Sequence, residues 1–393
     1  MGATTSSGSS APPGADLVRR RVDRPLEGEK RRIMSFQLRL ANTVCEAAPP
    51  THMGEHLNRP RRVALLVTST NADYPLPPGA PADALAEVDG AKYVEAYAEG
   101  IRLAGCEPLI HEGLPDPGVI AWLREVRPDF CFNVCEGFGG ESREAHMPAV
   151  LEALGIPYTG PGPLAAAVTQ DKPTTKRLLA AAGLPTPPFE VFDCPEKARA
   201  CSLPLPLFVK PKHEGTGMGV RSDSIVRCPE ELSRQVGRVV RHYRQPAIVE
   251  RFIEGREITC GLVGNNGDLH LFPILEVDFT GYPSDLATVY SSVHKNDLDH
   301  LFRYCCPAGI PEETAREIRR LTLATFQITG CRDYARVDFR LAPDGSLHIL
   351  EINGLPGITP RSDLTMMARA EGWTHAQLVA AVLQAGLRRH SLL

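Results

Sequence analysis

Four side chains near the C-terminal end of the chain have the types and spacing to hold a hard cation and neutralise phosphate charge. "YARVDFRL" (334–341) and "SLHILEIN" (346–353) read as antiparallel strands joined by Ala342 to Gly345. With Leu341 opposite Ser346, Arg336 faces Glu351 and Asp338 faces Ile349. Side chains alternate at period two, so one face collects Val337, Phe339, Leu350 and Ile352, and the other Arg336, Asp338, Glu351 and Asn353. Two carboxylates and an amide form an oxygen-only set, which suits Mg²⁺ or Mn²⁺; magnesium takes waters and phosphate oxygens as its other ligands. The polar face therefore implies a bound nucleotide. The competing reading pairs Asp338 and Glu351 with Arg336 and Arg340 on a solvated face.

"KPKHEGTGMG" (210–219) supplies a phosphate side. Gly215, Gly217 and Gly219 let a loop bring backbone N–H groups against oxyanions without side-chain hindrance. Lys210, at the end of the preceding strand, and Lys172, upstream, add point charges. No Gly-Lys-Ser/Thr follows and the spacing is not GxGxxG, so neither a Walker loop nor a dinucleotide fingerprint is present. Taken alone, the stretch also fits a glycine hairpin with no ligand.

The elements that must position these residues follow from the rest of the chain. Its 393 residues, 43% of them apolar, suffice for two or three domains. A formal net charge of -4 gives no reason to expect nucleic acid. Eleven cysteines form no CxxC pair and no zinc spacing, and read as reduced core thiols of a cytoplasmic protein. No apolar run approaches the ~18 residues that span a bilayer, so no membrane partner is expected. From residue 61 strands and helices alternate: "RRVALLVTST", a helix over 88–105, "EPLIHEG", "PDFCFNVCEG", a helix over 143–155 and the turn "IPYTGPG". That order predicts a parallel sheet covered on both faces, an α/β domain over 61–162. Two helical pieces between 162 and 188 lead to a second rhythm over 163–265: strand, glycine loop and strand, then the helix "PEELSRQVGRVVRHY" (229–243) and two strands in "AIVERFIEGREITCGLV". A third segment, 266–393, holds "HLFPILEV", a long helix over 311–330 and the metal hairpin.

Residues 1–60 are Ser/Gly/Pro/Ala-rich and then mixed basic and acidic, a composition that builds no core and predicts a disordered tail. Gly2 and Ser6 match a myristoylation pattern, whereas Asp16, Asp23, Glu27 and Glu29 argue against a transit peptide. A start at Met34 or Met53 fits the sequence as well.

Six ordered stretches, "GIPYTGPGPLAAAVTQDKPTTK", "LFVKPKHEGTGMGV", "IVERFIEGREIT", "YCCPAGI", "GCRDYARVDF" and "LEINGLPGITPRSDL", resemble the ATP-grasp superfamily and, within it, the D-alanine–D-alanine ligase family, over about residues 61 to 388. The resemblance implies an ATP-grasp fold preceded by a parallel-sheet domain, with ATP held between two antiparallel sheets. It implies phosphate contacts from Lys172 and Lys210 and from the loop of Gly215, Thr216, Gly217 and Gly219. Glu250 and the backbone through Ile253 would hold adenine, and Glu257 the ribose. Asp338, Glu351 and Asn353 would hold two magnesium ions, and Arg336 with a backbone N–H near Gly357 would stabilise an oxyanion. The chemistry implied is attack of a carboxylate on the γ-phosphate of ATP, then of an amine on the acyl phosphate, making an amide. The partners implied are small amino-acid-like substrates and a second copy of the chain in a homodimer.

The chain departs from the family at its first-substrate end. The family's glutamate-bearing motif after the first strand is replaced by "TSTNADYPLPPG", and Glu136 stands where the family has a histidine. Thr216 replaces a serine. The lid's Glu-Ala-Lys-Tyr pattern gives way to "VYSSVHKND", in which Lys295 is the candidate lid lysine; the glycine loop and 280–300 are the lid candidates. The acceptor end is better kept, Ser362 matching a carboxylate-binding serine and Arg361 adding a second donor. Glu136 is accordingly expected to meet the first substrate's ammonium, and D-alanine to be a poor donor. Rival readings are an ATP-grasp ligase of natural-product assembly with another donor, and a nucleotide-binding protein without ligation.

Overall fold

The computed structural model describes residues 61–70, 74, 76, 78–88, 90–280 and 303–393. The expected tail, and the lid segment from 281 with Lys295, lie outside the described residues. β1 (Arg62–Val67) is the centre of a parallel sheet, flanked by β2 (Glu107–Glu112) and β3 (Phe130–Val134). Both faces of β1 are covered, which is why its sequence is a continuous apolar run. Val63, Leu65 and Val67 enter one core, and Ala64 and Leu66 another. The covering helices are α1 (Val94–Leu103), α2 (Pro117–Val126) and α3 (Arg143–Leu154). The periodicity reading passes over α2, although its start is well marked: Asp116 caps it, accepting the Val119 N–H at 3.0 Å, and Pro117 opens it.

Helices α4 (Pro163–Gln170) and α5 (Lys172–Ala181) meet at Asp171, whose carboxylate caps α5 by accepting the Thr174 N–H at 2.8 Å. A second, antiparallel sheet follows, with β4 (Phe189–Phe192), β5 (Leu207–Pro211), β6 (Ile225–Val226) and β7 (Ala247–Arg251) in the order β4-β7-β5-β6. Helix α6 (Pro229–Tyr243) closes one face of it, packing Val236 and Val239 with Leu207 and Val209. The third sheet holds β8 (Arg256–Val263), β9 (His270–Leu271), β10 (Leu275–Asp278), β11 (Arg303–Cys305), β12 (Tyr334–Leu341) and β13 (Leu347–Asn353). Helix α7 (Glu312–Thr329) covers its apolar face. The chain ends with α8 (Asp363–Ala370) and α9 (His375–Arg389), and α9 returns to the first sheet. Gly100 allows that approach, since a Cβ there would overlap the Val379 side chain.

The β12–β13 hairpin corrects the register expected from sequence. At the turn Leu341 pairs with Leu347, not Ser346, and a bulge lies between Asp338 and Phe339. Beyond it Asp338 is opposite Glu351 and Arg336 opposite Asn353. The one-residue shift at the turn would have reversed the faces, but the extra residue of the bulge, Leu350, restores them. Ile349 therefore takes the core place expected of Leu350, and Leu350 turns to the site beside Glu351. Among the described residues every cysteine is a free thiol, and no helix is long and apolar enough to cross a membrane.

Candidate active site

The polar faces of the second and third sheets enclose a cavity of about 1040 Å³, counted with its open mouth. Lys210 on β5 and Glu250 on β7 line one side; Glu257, Thr259, Asp338 and Glu351 line the other. Thr216 and Gly217 cover it from the glycine loop, and Ile253 lies at the turn between the sheets. A second cavity, about 590 Å³, opens toward the carboxyl ends of β1 and β3. It is lined by Glu136, Gly215, Asn353 and Gly357, and also by Glu87, Glu144, Gln170 and Glu214. Open α/β sheets bind ligands at the carboxyl ends of their strands, where the order of strands reverses, and β1 and β3 flank that place here. The two cavities share Lys172, Glu214, Thr216, Arg336 and Glu351.

Lysines and carboxylates meet where the two cavities join. Lys172 Nζ and Lys210 Nζ lie 3.5 and 3.7 Å from Glu351 Oε2. Lys210 is also 3.3 Å from Glu250, whose other oxygen is 3.0 Å from Lys176 Nζ. Burial works against charge on Glu250, yet the two lysines outweigh it and hold its carboxyl below the usual range. Lys176, fully buried, was not singled out from sequence, though it lies four residues after Lys172 and so on the same helix face. Its other contact is a hydrogen bond of 2.8 Å to Thr186 Oγ1. Replacing Lys176 by methionine leaves the Glu250 carboxylate buried with one cation. The expected loss is about 3–5 kcal/mol of folding stability, read by urea unfolding.

Asp338 is the most tightly held carboxylate of the site. Its Oδ1 accepts from Arg336 Nε at 2.8 Å and from the Thr259 hydroxyl at 2.6 Å. Its Oδ2 accepts from Arg336 Nη2 at 2.9 Å and from Asn353 Nδ2 at 3.0 Å. A carboxylate has about four lone-pair sites, so all of them are engaged. Burial opposes the charge on Arg336, but Asp338, with Asp363 at 3.5 Å, raises its pKa further. The oxygen-only chemistry of Asp338, Glu351 and the Asn353 amide oxygen fits a hard divalent cation, and one held at Asp338 takes a site that Arg336 now fills. Among the described residues no cluster of three His, Cys, Asp or Glu side chains suited to a metal occurs, so the amide is needed to complete such a set.

The remaining expected residues are spread. Glu257 lies 3.3 Å from Arg340 at the wall of the first cavity. Gly219 lines neither cavity; its φ of 76° and its contact with Pro211, which a Cβ would overlap, make it a structural glycine. Thr216 takes a left-handed φ of 49° at the loop tip. Ser362 shares a 2.9 Å hydrogen bond with Thr359 Oγ1 and lies beside Gly357, at the edge of the second cavity. Arg361 is exposed and on neither wall.

The segment after β1, which carries no recognisable motif, delivers a glutamate all the same. Glu87 reaches the second cavity and accepts from Arg143 Nε at 3.0 Å and Nη2 at 2.5 Å. A Cβ on Gly215 would run into Glu87 Oε1, so this glycine serves the approach of Glu87 as well as the loop. Glu144 on the same wall is pushed up to about 7, first by burial and then by the charge of Glu87. Gln170, 5% exposed, has an amide nitrogen that no group in the described structure meets.

Two antiparallel sheets closing on a lysine- and carboxylate-lined cavity, with a glycine loop above it, define the class: an ATP-grasp ligase. Its fold is that of the D-alanine–D-alanine ligase of Bacillus anthracis solved with ATP, at a TM-score of 0.62 and 22% identity, over 84% of this chain and 99% of that one. The family model "D-ala D-ala ligase C-terminus" matches residues 178–384. The D-alanine–D-alanine ligase B of Chromobacterium violaceum is 37% identical over 271 residues, covering 68% of this chain and 84% of its own. The uncharacterised protein y4sG of Sinorhizobium fredii is 33% identical over 311 residues, covering 76% and 88%. The chain belongs to the D-alanine–D-alanine ligase family. It is an ATP-dependent enzyme that forms amide bonds, in a family that acts on small amino-acid substrates and uses ATP and Mg²⁺.

Proposed function

We propose that the first cavity holds ATP, that the second holds the donor amino acid, and that the donor is not D-alanine. The observation that carries the reading is the shared wall: Lys172, Thr216, Arg336 and Glu351 face both spaces, where a donor carboxylate would meet a γ-phosphate. Adenine lies along Glu250 to Ile253, and Glu257 takes the ribose hydroxyls. Lys172, Lys210 and the N–H groups of the loop over Gly215 to Gly217 neutralise the phosphates. Asp338, Glu351 and Asn353 hold two Mg²⁺ ions, which when bound add positive charge against the phosphate oxygens.

In the first step a donor carboxylate oxygen bonds to the γ-phosphorus and ADP leaves. In the second the acceptor's neutral amine bonds to the carbonyl carbon, phosphate departs with the bonding pair, and the amine's proton is lost. The Arg336 guanidinium and the N–H near Gly357 stabilise the oxyanion of that second step. Ser362 receives the acceptor's carboxylate. Arg361, outside both walls, makes no substrate contact on this reading, and the candidate lid lysine Lys295 lies outside the described residues.

The donor's ammonium lies against Glu136, and Glu87 lines the same cavity. Glu144 and the unmet Gln170 amide make this wall polar where a methyl side chain would rest, and buried polar groups left unmatched penalise a substrate that cannot satisfy them. The proteins named above as D-alanine–D-alanine ligases are relatives whose first substrate differs on this reading. The homodimer rests on the family resemblance, the cytoplasmic setting on cysteines with no pairing or zinc spacing, and the divisions 1–60, 61–162, 163–265 and 266–393 on composition and on the rhythm of strands and helices. The test supplies D-alanine alone and, separately, a panel of donors with D-alanine as acceptor. D-Alanine as donor is expected to run about a hundredfold below the best one in kcat/KM. D-Alanyl-D-alanine as the fastest product would return the chain to its relatives' reaction.

A further inference from the structure

The glycine-rich loop is tied at both ends to residues that precede it in the chain by many tens of positions. At its start the buried Arg143 donates from Nη1 to the His213 carbonyl at 2.9 Å, and its Nη2 lies 3.3 Å from Glu214 Oε2. The same guanidinium grips Glu87 through Nε and Nη2. At the end of the loop the Gly219 N–H donates to Asp83 Oδ2 at 2.9 Å. Asp83 is itself fixed by the Tyr243 hydroxyl, at 2.9 and 3.0 Å from its two oxygens, and Arg238 donates to the Gly219 carbonyl at 2.7 Å.

We infer that Arg143 and Asp83 are positioning residues that hold the loop over residues 213–219 closed above the phosphate site by contacts made wholly within the chain. Glycines at 215, 217 and 219 leave that loop many conformations, and a loop free to open is in the binding-competent shape only part of the time. Apparent affinity falls by the fraction competent, so two clamps at the loop's ends raise nucleotide affinity without touching the nucleotide. Because Arg143 also holds Glu87, one guanidinium joins the loop to the cavity assigned to the donor. The inference rests on the reading of the first cavity as the ATP site.

The test uses the full chain with Asp83→Ala, Arg143→Met and Arg143→Lys, measuring hydrogen exchange, binding of the Mg²⁺ complex of a non-hydrolysable ATP analogue, and Tm. Amides over 213–220 in the first two variants are expected to exchange about tenfold faster with β5 and β7 unchanged, and the analogue's Kd to weaken about tenfold. Arg143→Lys, which keeps charge but not the fork, should recover part of both. A merely structural role would lower Tm and raise exchange throughout, not in the loop selectively. Asp83→Ala, on a half-buried turn, stands if Arg143→Met fails to fold. Wild-type binding of the analogue with loop exchange and Kd unaltered in Asp83→Ala overturns the inference; absence of binding by the wild type overturns the ATP-site reading itself.

Discussion

Glu351→Gln is expected to lower ATP-dependent amide formation by about a thousandfold, the consequence of removing roughly 4 kcal/mol of charge stabilisation at the phosphate. Glu351 faces both cavities, and its carboxylate lies 3.5 Å from Lys172 and 3.7 Å from Lys210. Glutamine keeps the shape but gives up a charged oxygen ligand. Folding stability should stay within about 1 kcal/mol, since the residue faces a site and not the core. Raising Mg²⁺ should recover little of the loss. The same exchange at Asp338 is a less clean experiment. All lone-pair sites of Asp338 are engaged, two of them by the buried Arg336, so Asp338→Asn also weakens the fold, by several kcal/mol on the scale of broken buried pairs. Full activity of Glu351→Gln at ordinary Mg²⁺ would remove it from the metal set.

The second large effect is expected at the donor's end. Glu136→Gln should lower kcat/KM for the true donor about a hundredfold, because an ammonium brought out of water then lacks its charged partner. The Kd for the ATP analogue should stay within about twofold, Glu136 lining only the second cavity. Unchanged donor kinetics in Glu136→Gln, with a large loss in Glu87→Gln, would move the ammonium to Glu87.

How much of this was legible in the sequence follows from how local each signal is. Alternation at period two brought Asp338, Glu351 and Asn353 to one face because each strand carries its own pattern. The bulge was not legible, since it depends on how β12 pairs on both sides and on a turn one residue longer than expected. That is why Leu350 and Ile349 exchanged places. The helix over Arg143–Leu154 announced itself by composition, but that its first residue would be buried against Glu87 and the glycine loop is a matter of packing between distant segments. Glu87 follows a stretch rich in proline and alanine with no periodicity to place it. Lys172 and Lys210 were readable as charges beside a glycine loop, whereas nothing in the sequence sets Lys176 apart from the other polar residues of its helix, and only its full burial does so.

Release of phosphate from ATP by the purified chain with Mg²⁺, measured with and without amino acids and together with the mass of the product, separates ligation from nucleotide binding alone. Ligation predicts release that requires an amino-acid pair, one ADP and one phosphate per turnover, and a product whose mass is the sum of the two amino acids less one water. Phosphate release indifferent to every amino acid, or nucleotide binding with no product, would contradict it.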